Sequence, residues 1–235
     1  MSKDMLGSVV RAAVGVPQDR MNALAKLASA MAASASEGRA WHAHLKTLLQ
    51  QGLPSSEGIA PTTFERNEYG HIVFTITGLD LTGAEEIERL ETADYRIGGY
   101  ARQMLTSTKG DSYDANHRLI AGRQYRIALL PGKHIVRDSD RTTNNLRAEG
   151  MKLGYGKPLA GVAPRIREVV SDKRMGEMGF EYIATLHDSI TDADGFPGVL
   201  GASRRDSGRR LGGAWGRPGE LWNDIGAFPF LLPAS

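Results

Sequence analysis

Hydrophobic positions in the first fifty residues recur at helical spacing. Leu6, Val9, Val10, Ala13 and Val14 form one stripe that ends near Gly15, and a 3.6-residue period puts them on one helix face. Pro17 suits the first turn of a second helix, in which Met21, Leu24, Leu27, Ala28, Met31, Ala32 and Ala35 keep the period as far as Gly38. A third helix over 39–51 presents Trp41, Leu45, Leu48 and Leu49, and Gly52 closes it. Such an Ala/Met-rich face packs helix on helix, within one chain or between copies. Residues 53–63 are rich in proline, serine and glycine and read as a linker.

Beyond the linker the period changes. The run 71–77 has the β-branched and aromatic content of a strand. Thr82 can cap a helix over 83–92, with Glu85 three residues on completing a capping box. Residues 102–107 read as another strand, and 125–130 as the most regular one in the chain, closed by Pro131-Gly132. Helices are predicted over 141–153 after a Ser139 or Asp140 cap, from Pro164 with Ile166, Val169 and Val170, and from a Ser171 cap to Met178. The last quarter holds four short runs, 180–186, 199–203, 211–215 and 227–232, separated by turn residues. That spacing predicts an antiparallel meander, with Pro229 demoting the last run to an edge or irregular strand. The expected class is α+β. It comprises a helical N-terminal region (1–52), a linker (53–63), a mixed α/β body (64–179) and an antiparallel β-meander (180–235) packed on that body.

Composition narrows the chemistry. The 235 residues contain no cysteine, which excludes disulfides, thiolate metal sites and a cysteine nucleophile. The longest nearly uncharged N-terminal run, 27–36, is too short to cross a bilayer, and no signal-peptide apolar region precedes it. A soluble, cytoplasmic protein with no membrane partner is the expectation. Net charge is only +2, yet it is unevenly spread. Residues 80–95 carry one basic and six acidic groups, a net −5, whereas 96–175 carry sixteen basic and seven acidic groups, a net +9. Three glutamates of the acidic stretch fall in or near the first turn of the 83–92 helix, where the helix dipole favours them on a solvated face.

Linear motifs are absent. His42 and His44 are two apart on a predicted helix and cannot share a metal, and His71, His117, His134 and His187 are scattered without metal-ligand spacing. The turn Asp192-Ala-Asp-Gly195 lacks the flanking ligands of a calcium loop. No GxSxG elbow occurs. Pro131-Gly-Lys-His134 and Gly154-Tyr-Gly-Lys157 are not nucleotide fingerprints, but each could offer backbone N–H groups and a lysine to an anion. Asp111 and Asp114 sit in turn-like contexts that suit caps better than acid/base work. No cofactor or metal is implied.

The most distinct signal is basic residues interleaved with aromatics. Arg102, Arg118, Arg123, Arg126, Lys133 and Lys157 lie in the 96–175 segment, while Arg204, Arg205, Arg209 and Arg210 occupy a hairpin tip near Trp215. Exposed arginines beside aromatics suit phosphate contacts and base stacking. The leading expectation is a non-enzymatic binding protein that contacts nucleic acid or an acidic protein partner through these eleven residues. The same cations could instead pair with the chain's own carboxylates. One alternative is an assembly protein that oligomerises through the N-terminal helices. Another is an enzyme without a linear motif, built on His117, His134 and His187 with Asp138 or Asp188.

From about Ile72 onward, through 125–131, 171–178 and the closing Gly226-Ala-Phe-Pro-Phe-Leu-Leu-Pro-Ala-Ser235, the chain resembles uncharacterised hypothetical proteins of candidate-phylum bacterial genomes. That resemblance implies no activity and carries no functional residue across.

Overall fold

Strand alternation sets the centre of the molecule. In the computed structural model, which describes residues 62–204 and 209–233, β2 (Ile72–Thr77) pairs antiparallel with β4 (Gln124–Pro131) from Ile72↔Leu129 to Thr77↔Gln124. β4 is buried on both faces from Ile127 to Leu130, the mark of a strand covered on each side. Ile127 and Leu129 join Phe74, Ile76, Val162 and Ile166 in one core, while Ala128 and Leu130 join Val73, Leu146, Phe228 and Phe230 in another.

The remaining strands are β1 (Glu65–Arg66), β3 (Arg96–Ile97), β5 (Tyr182–Ala184), β6 (Ile190–Thr191), β7 (Pro197–Ser203), β8 (Arg210–Trp215) and β9 (Gly226–Leu231). Among the described residues one nine-stranded sheet runs β1-β2-β4-β9-β5-β7-β8-β3, with β6 pairing β7. The described helices are α1 (Gly83–Thr92), α2 (Gly99–Leu105), α3 (Tyr113–Asn116), α4 (Thr143–Lys152), α5 (Val162–Val169) and α6 (Asp172–Glu177). The class is α+β, with parallel and antiparallel pairs in the same sheet. The predicted helices of 1–52, the linker apart from its last two residues, and Arg205 lie outside the described residues. Among the described residues no helix is long and apolar enough to cross a membrane.

Several expectations are corrected. The four runs predicted in the last quarter do not form a meander: β5, β7 and β8 are antiparallel neighbours, but β9 leaves them and inserts between β4 and β5, parallel to β5. Pro229 therefore sits in a central strand. It is tolerated because β5 pairs only with Gly226 and Ala227, so at Pro229 that side of β9 needs no ladder bond. Residues 102–107 are not a strand but largely α2, whose Ala101, Met104 and Leu105 are buried at helical spacing. The cap of α4 is Thr142, not Ser139 or Asp140.

The α1 capping box forms as expected: Thr82 N–H donates to Glu85 Oε2 at 2.7 Å, and Glu85 N–H donates to Thr82 Oγ1 at 3.3 Å. The solvated face does not hold for Glu86, which is 1% exposed. Its carboxylate accepts from the buried Arg165 guanidinium, and Arg165 also reaches Glu168 at 3.0 Å. Arg89 lies between the two acids, 3.7 Å from Glu86 and in contact with Glu168. A helix face that its polarity assigns to water thus packs against α5.

Candidate functional site

His117, the residue that ends α3, is where three segments meet. Its ring is 3% exposed, and its Nδ1 accepts a hydrogen bond from Ala160 N–H at 3.3 Å. Its carbonyl accepts from Gly161 N–H at 3.0 Å. The approach is close enough that a Cβ on Gly161 would lie 2.8 Å from that carbonyl, so glycine is required there. Burial lowers the His117 pKa, against the pull of Asp188 and Asp111. The neutral ring, with Nδ1 accepting, carries its proton on Nε2.

The His187 ring stands 5.0 Å from that of His117, edge to face. Both of its nitrogens are engaged: Nδ1–H donates to Asp188 O at 2.6 Å and Nε2 accepts from Leu200 N–H at 2.9 Å. Burial drives its pKa down to about 3. His187 is a neutral strut, without a free nitrogen for proton transfer. Arg147 of α4 donates to the carbonyls of Leu186 and His187 and fixes the strand exit that carries Asp188.

These elements enclose a cavity of about 390 Å³ lined by Asp111, Asn116, His117, Lys157, Asp188 and Ser189, among others. Lys157 Nζ donates to both Asp188 oxygens, at 2.7 and 2.6 Å, and this pairing holds the Asp188 carboxyl below the usual carboxylate range. Asp111 Oδ2 accepts from Thr191 N–H at 3.0 Å and from the Thr191 hydroxyl. Asp111 Oδ1 is buried with no hydrogen-bond partner among the described residues. Asp114 is a cap, accepting from Gly83 N–H at 2.7 Å. Asp111 is a cap through one oxygen only, and the other is left facing the problem that buried carboxylate oxygens normally have solved.

His134 does not join this group. It lies 5.3 Å from His71, ring to ring, beside a different cavity that Lys133 also lines. The three-histidine centre expected from sequence is thus divided between two sites. Among the described residues no group of His, Asp and Glu is arranged to hold a metal.

The predicted binding residues are dispersed. Arg102 pairs with Glu91, Arg118 with Asp80 at 2.8 Å, and Lys157 with Asp188. Arg123 lies over the Tyr125 ring, 5.2 Å from its centroid, while Arg126 and Lys133 are exposed without a carboxylate within 4 Å among the described residues. Arg204 packs against Gly176 of α6, Arg209 over Tyr95 at 5.4 Å, and Arg210 against Gly98. Arg210 is also in register with Arg96 of β3, so the hairpin arginines gather with Arg96 at one corner of the sheet. Trp215 is at the other end of β8, about 17 Å away at strand rise, where it meets Phe196 and Tyr100. The expected nearness of Trp215 to the hairpin tip is corrected by that extended strand. Much of the +9 of 96–175 is absorbed internally. Arg141, Arg165 and Arg167 are buried, and Arg137, Lys152 and Arg174 hold carboxylates.

Asp111, Asn116, Arg147 and Ser189 have no sequence signal that separates them from ordinary turn and helix residues. Only the fold brings Arg147 and Ser189 to the segment that carries Asp111, Asn116 and His117. The chain matches no protein-family model, no curated protein and no solved structure.

Proposed function

We propose that the protein binds a small polar molecule in the His117 cavity, as an enzyme without a linear motif or as a ligand sensor. The observation that carries this is the cavity itself, whose lining brings the neutral His117 ring together with Asp111, Asn116 and Ser189. An acceptor and the Nε2–H donor of His117 in one cavity complement a hydroxyl or a primary amide, which can donate to one and accept from the other. A neutral imidazole beside a carboxylate is also the composition of a proton-transfer pair. Lys157 and Asp188 neutralise each other, which leaves Asp111 as the unpaired charge of the lining among the described residues.

Saturation-transfer NMR with a panel of polyols and primary amides tests this. Transfer to at least one class is expected with the native protein, with loss in both Asp111→Asn and His117→Gln. Equal transfer in the native protein and both variants, or none from any compound, would sink the proposal.

A second reading keeps the nucleic-acid or acidic-protein partner, and it attaches to the end of the sheet where the backbones of Arg96, Arg204, Arg209 and Arg210 lie close together. Gel-shift titration with single-stranded RNA and DNA is expected to show binding that weakens steeply with salt and falls in Arg204→Ala/Arg209→Ala. Absence of binding at low salt removes this reading and leaves the cavity proposal standing.

A further inference from the structure

The turn Pro131-Gly-Lys-His134 after β4 and the loop before β2 close on a second cavity, of about 260 Å³. Its basic side chains come from both sides: Arg66 and His71 from the β1–β2 hairpin, Lys133 and His134 from the turn. Among the described residues no carboxylate lines it. Lys133 is exposed and has no carboxylate within 4 Å among the described residues. The Arg66 guanidinium uses one nitrogen on the Gly70 carbonyl, at 2.6 Å, and leaves the rest of its fork open.

The histidines are positioned rather than loose. Tyr155 OH accepts from Asn67 Nδ2 at 2.6 Å and lies 3.0 Å from His71 Nδ1. With its own proton directed to Nδ1, the neutral His71 ring carries its hydrogen on Nε2, which has no partner among the described residues. On the other side, His134 Nε2 is 3.3 Å from Glu149 Oε1, a carboxylate outside the cavity lining. Gly154-Tyr-Gly-Lys157 thus contributes to two sites, Tyr155 orienting this one and Lys157 lining that of His117.

We infer that this cavity is a phosphate site that takes a small phosphomonoester. Two permanent positive charges, Arg66 and Lys133, match a dianion, whereas a monocarboxylate leaves one charge unbalanced. The planar fork of arginine and the point charge of lysine are the usual phosphate contacts, and His71 adds a fixed neutral donor. Met178 and Phe180 form an apolar side of the same cavity, with room for the organic part of an ester. This site is separate from the His117 cavity and stands or falls independently of it.

The test follows the histidine ring resonances of the full chain by NMR during titration with inorganic phosphate, glycerol 3-phosphate and acetate. Saturable shifts of His71 and His134 are expected with both phosphates, tighter with the ester, and little response to acetate. Lys133→Ala and Arg66→Ala change exposed side chains and are each expected to weaken phosphate at least tenfold, as loss of a charge-assisted hydrogen bond does. Lys173→Ala, on α6 outside the cavity, should leave affinity unchanged. Tighter binding of inorganic phosphate than of the ester would confine the site to the free ion and overturn the ester assignment. Histidine shifts absent at tens of millimolar phosphate, or equal affinity in all three variants, would overturn the site itself.

Discussion

Glu86→Ala is expected to destabilise the protein by about 3 kcal/mol, the lower end for breaking a buried ion pair, because Glu168 still holds Arg165. Glu86 and Arg165 are 1% and 4% exposed. Burial pushes the Glu86 carboxyl up and the Arg165 guanidinium down, each against the attraction of the other. Removing the carboxylate leaves Arg165 with Glu168 and takes the Tyr113 hydroxyl's acceptor, at 3.4 Å, away from a fully buried phenol. The pair is costly to break without being a large net source of stability, since both ions have given up water. Glu86→Leu/Arg165→Met should therefore recover most of the loss, with Arg89 and Glu168 still paired. Urea unfolding midpoints of the single and double variants provide the check. A loss under about 1 kcal/mol for Glu86→Ala, or a double variant no better than the single, would contradict the buried network.

Acidification from pH 6.5 to 5 should weaken the fold through His187. The ordinary histidine pKa near 6.5 applies to the unfolded chain, and burial lowers the native value to about 3. Between those values the unfolded state binds a proton that the native state refuses, so stability rises with pH. It is fully present above about 6.5 and is lost as pH falls toward 3. The slope for one such group is about 1.4 kcal/mol per pH unit. Burial lowers His117 and His71 too, and both act in the same direction. Carboxylates with lowered values, Asp188, Glu149 and Glu85, act only from their unfolded values downward, near pH 4, whereas Glu86, raised by burial, acts upward from its unfolded value and opposes the histidines. In the window between 5 and 6.5 the His187 contribution is therefore the difference in slope between the native protein and a His187 variant. Denaturant titrations across that window should show the slope, and His187→Gln should flatten it. If that variant does not fold, the native His187 ring can be followed directly by NMR. A ring that titrates near 6.5 in the folded protein would refute the assignment.

The two expectations share a cause that also decides what could be read from sequence. Local rules were sufficient where the interaction closes within a few residues. The Thr82–Glu85 capping box, the Ser171 cap of α6, the β2 and β4 strands and the Asp192–Gly195 turn all depend on neighbours in the chain, and each is where the pattern put it. They failed where a distant element overrode the local one. Glu86 looks solvated from its helix position, but Arg165 comes to it across 79 residues of chain. Pro229 looks like an edge residue, but β5 ends before reaching it. Residues 102–107 were too few for alternation to be told from a helical stripe.

Sequence alone determined the α+β class, the absence of thiol chemistry, and the position of two glycine–lysine turns able to face an anion or a polar ligand. Only the tertiary structure decided which charges are spent internally. It divided the four described histidines into two pairs, His117 with His187 and His71 with His134, and left Asp111 Oδ1 without a partner among the described residues beside one pair. It set Arg66 and Lys133 beside the other. The physical reason is that charge and hydrogen-bonding capacity are properties of a residue, whereas their satisfaction depends on groups brought close by packing from far along the chain.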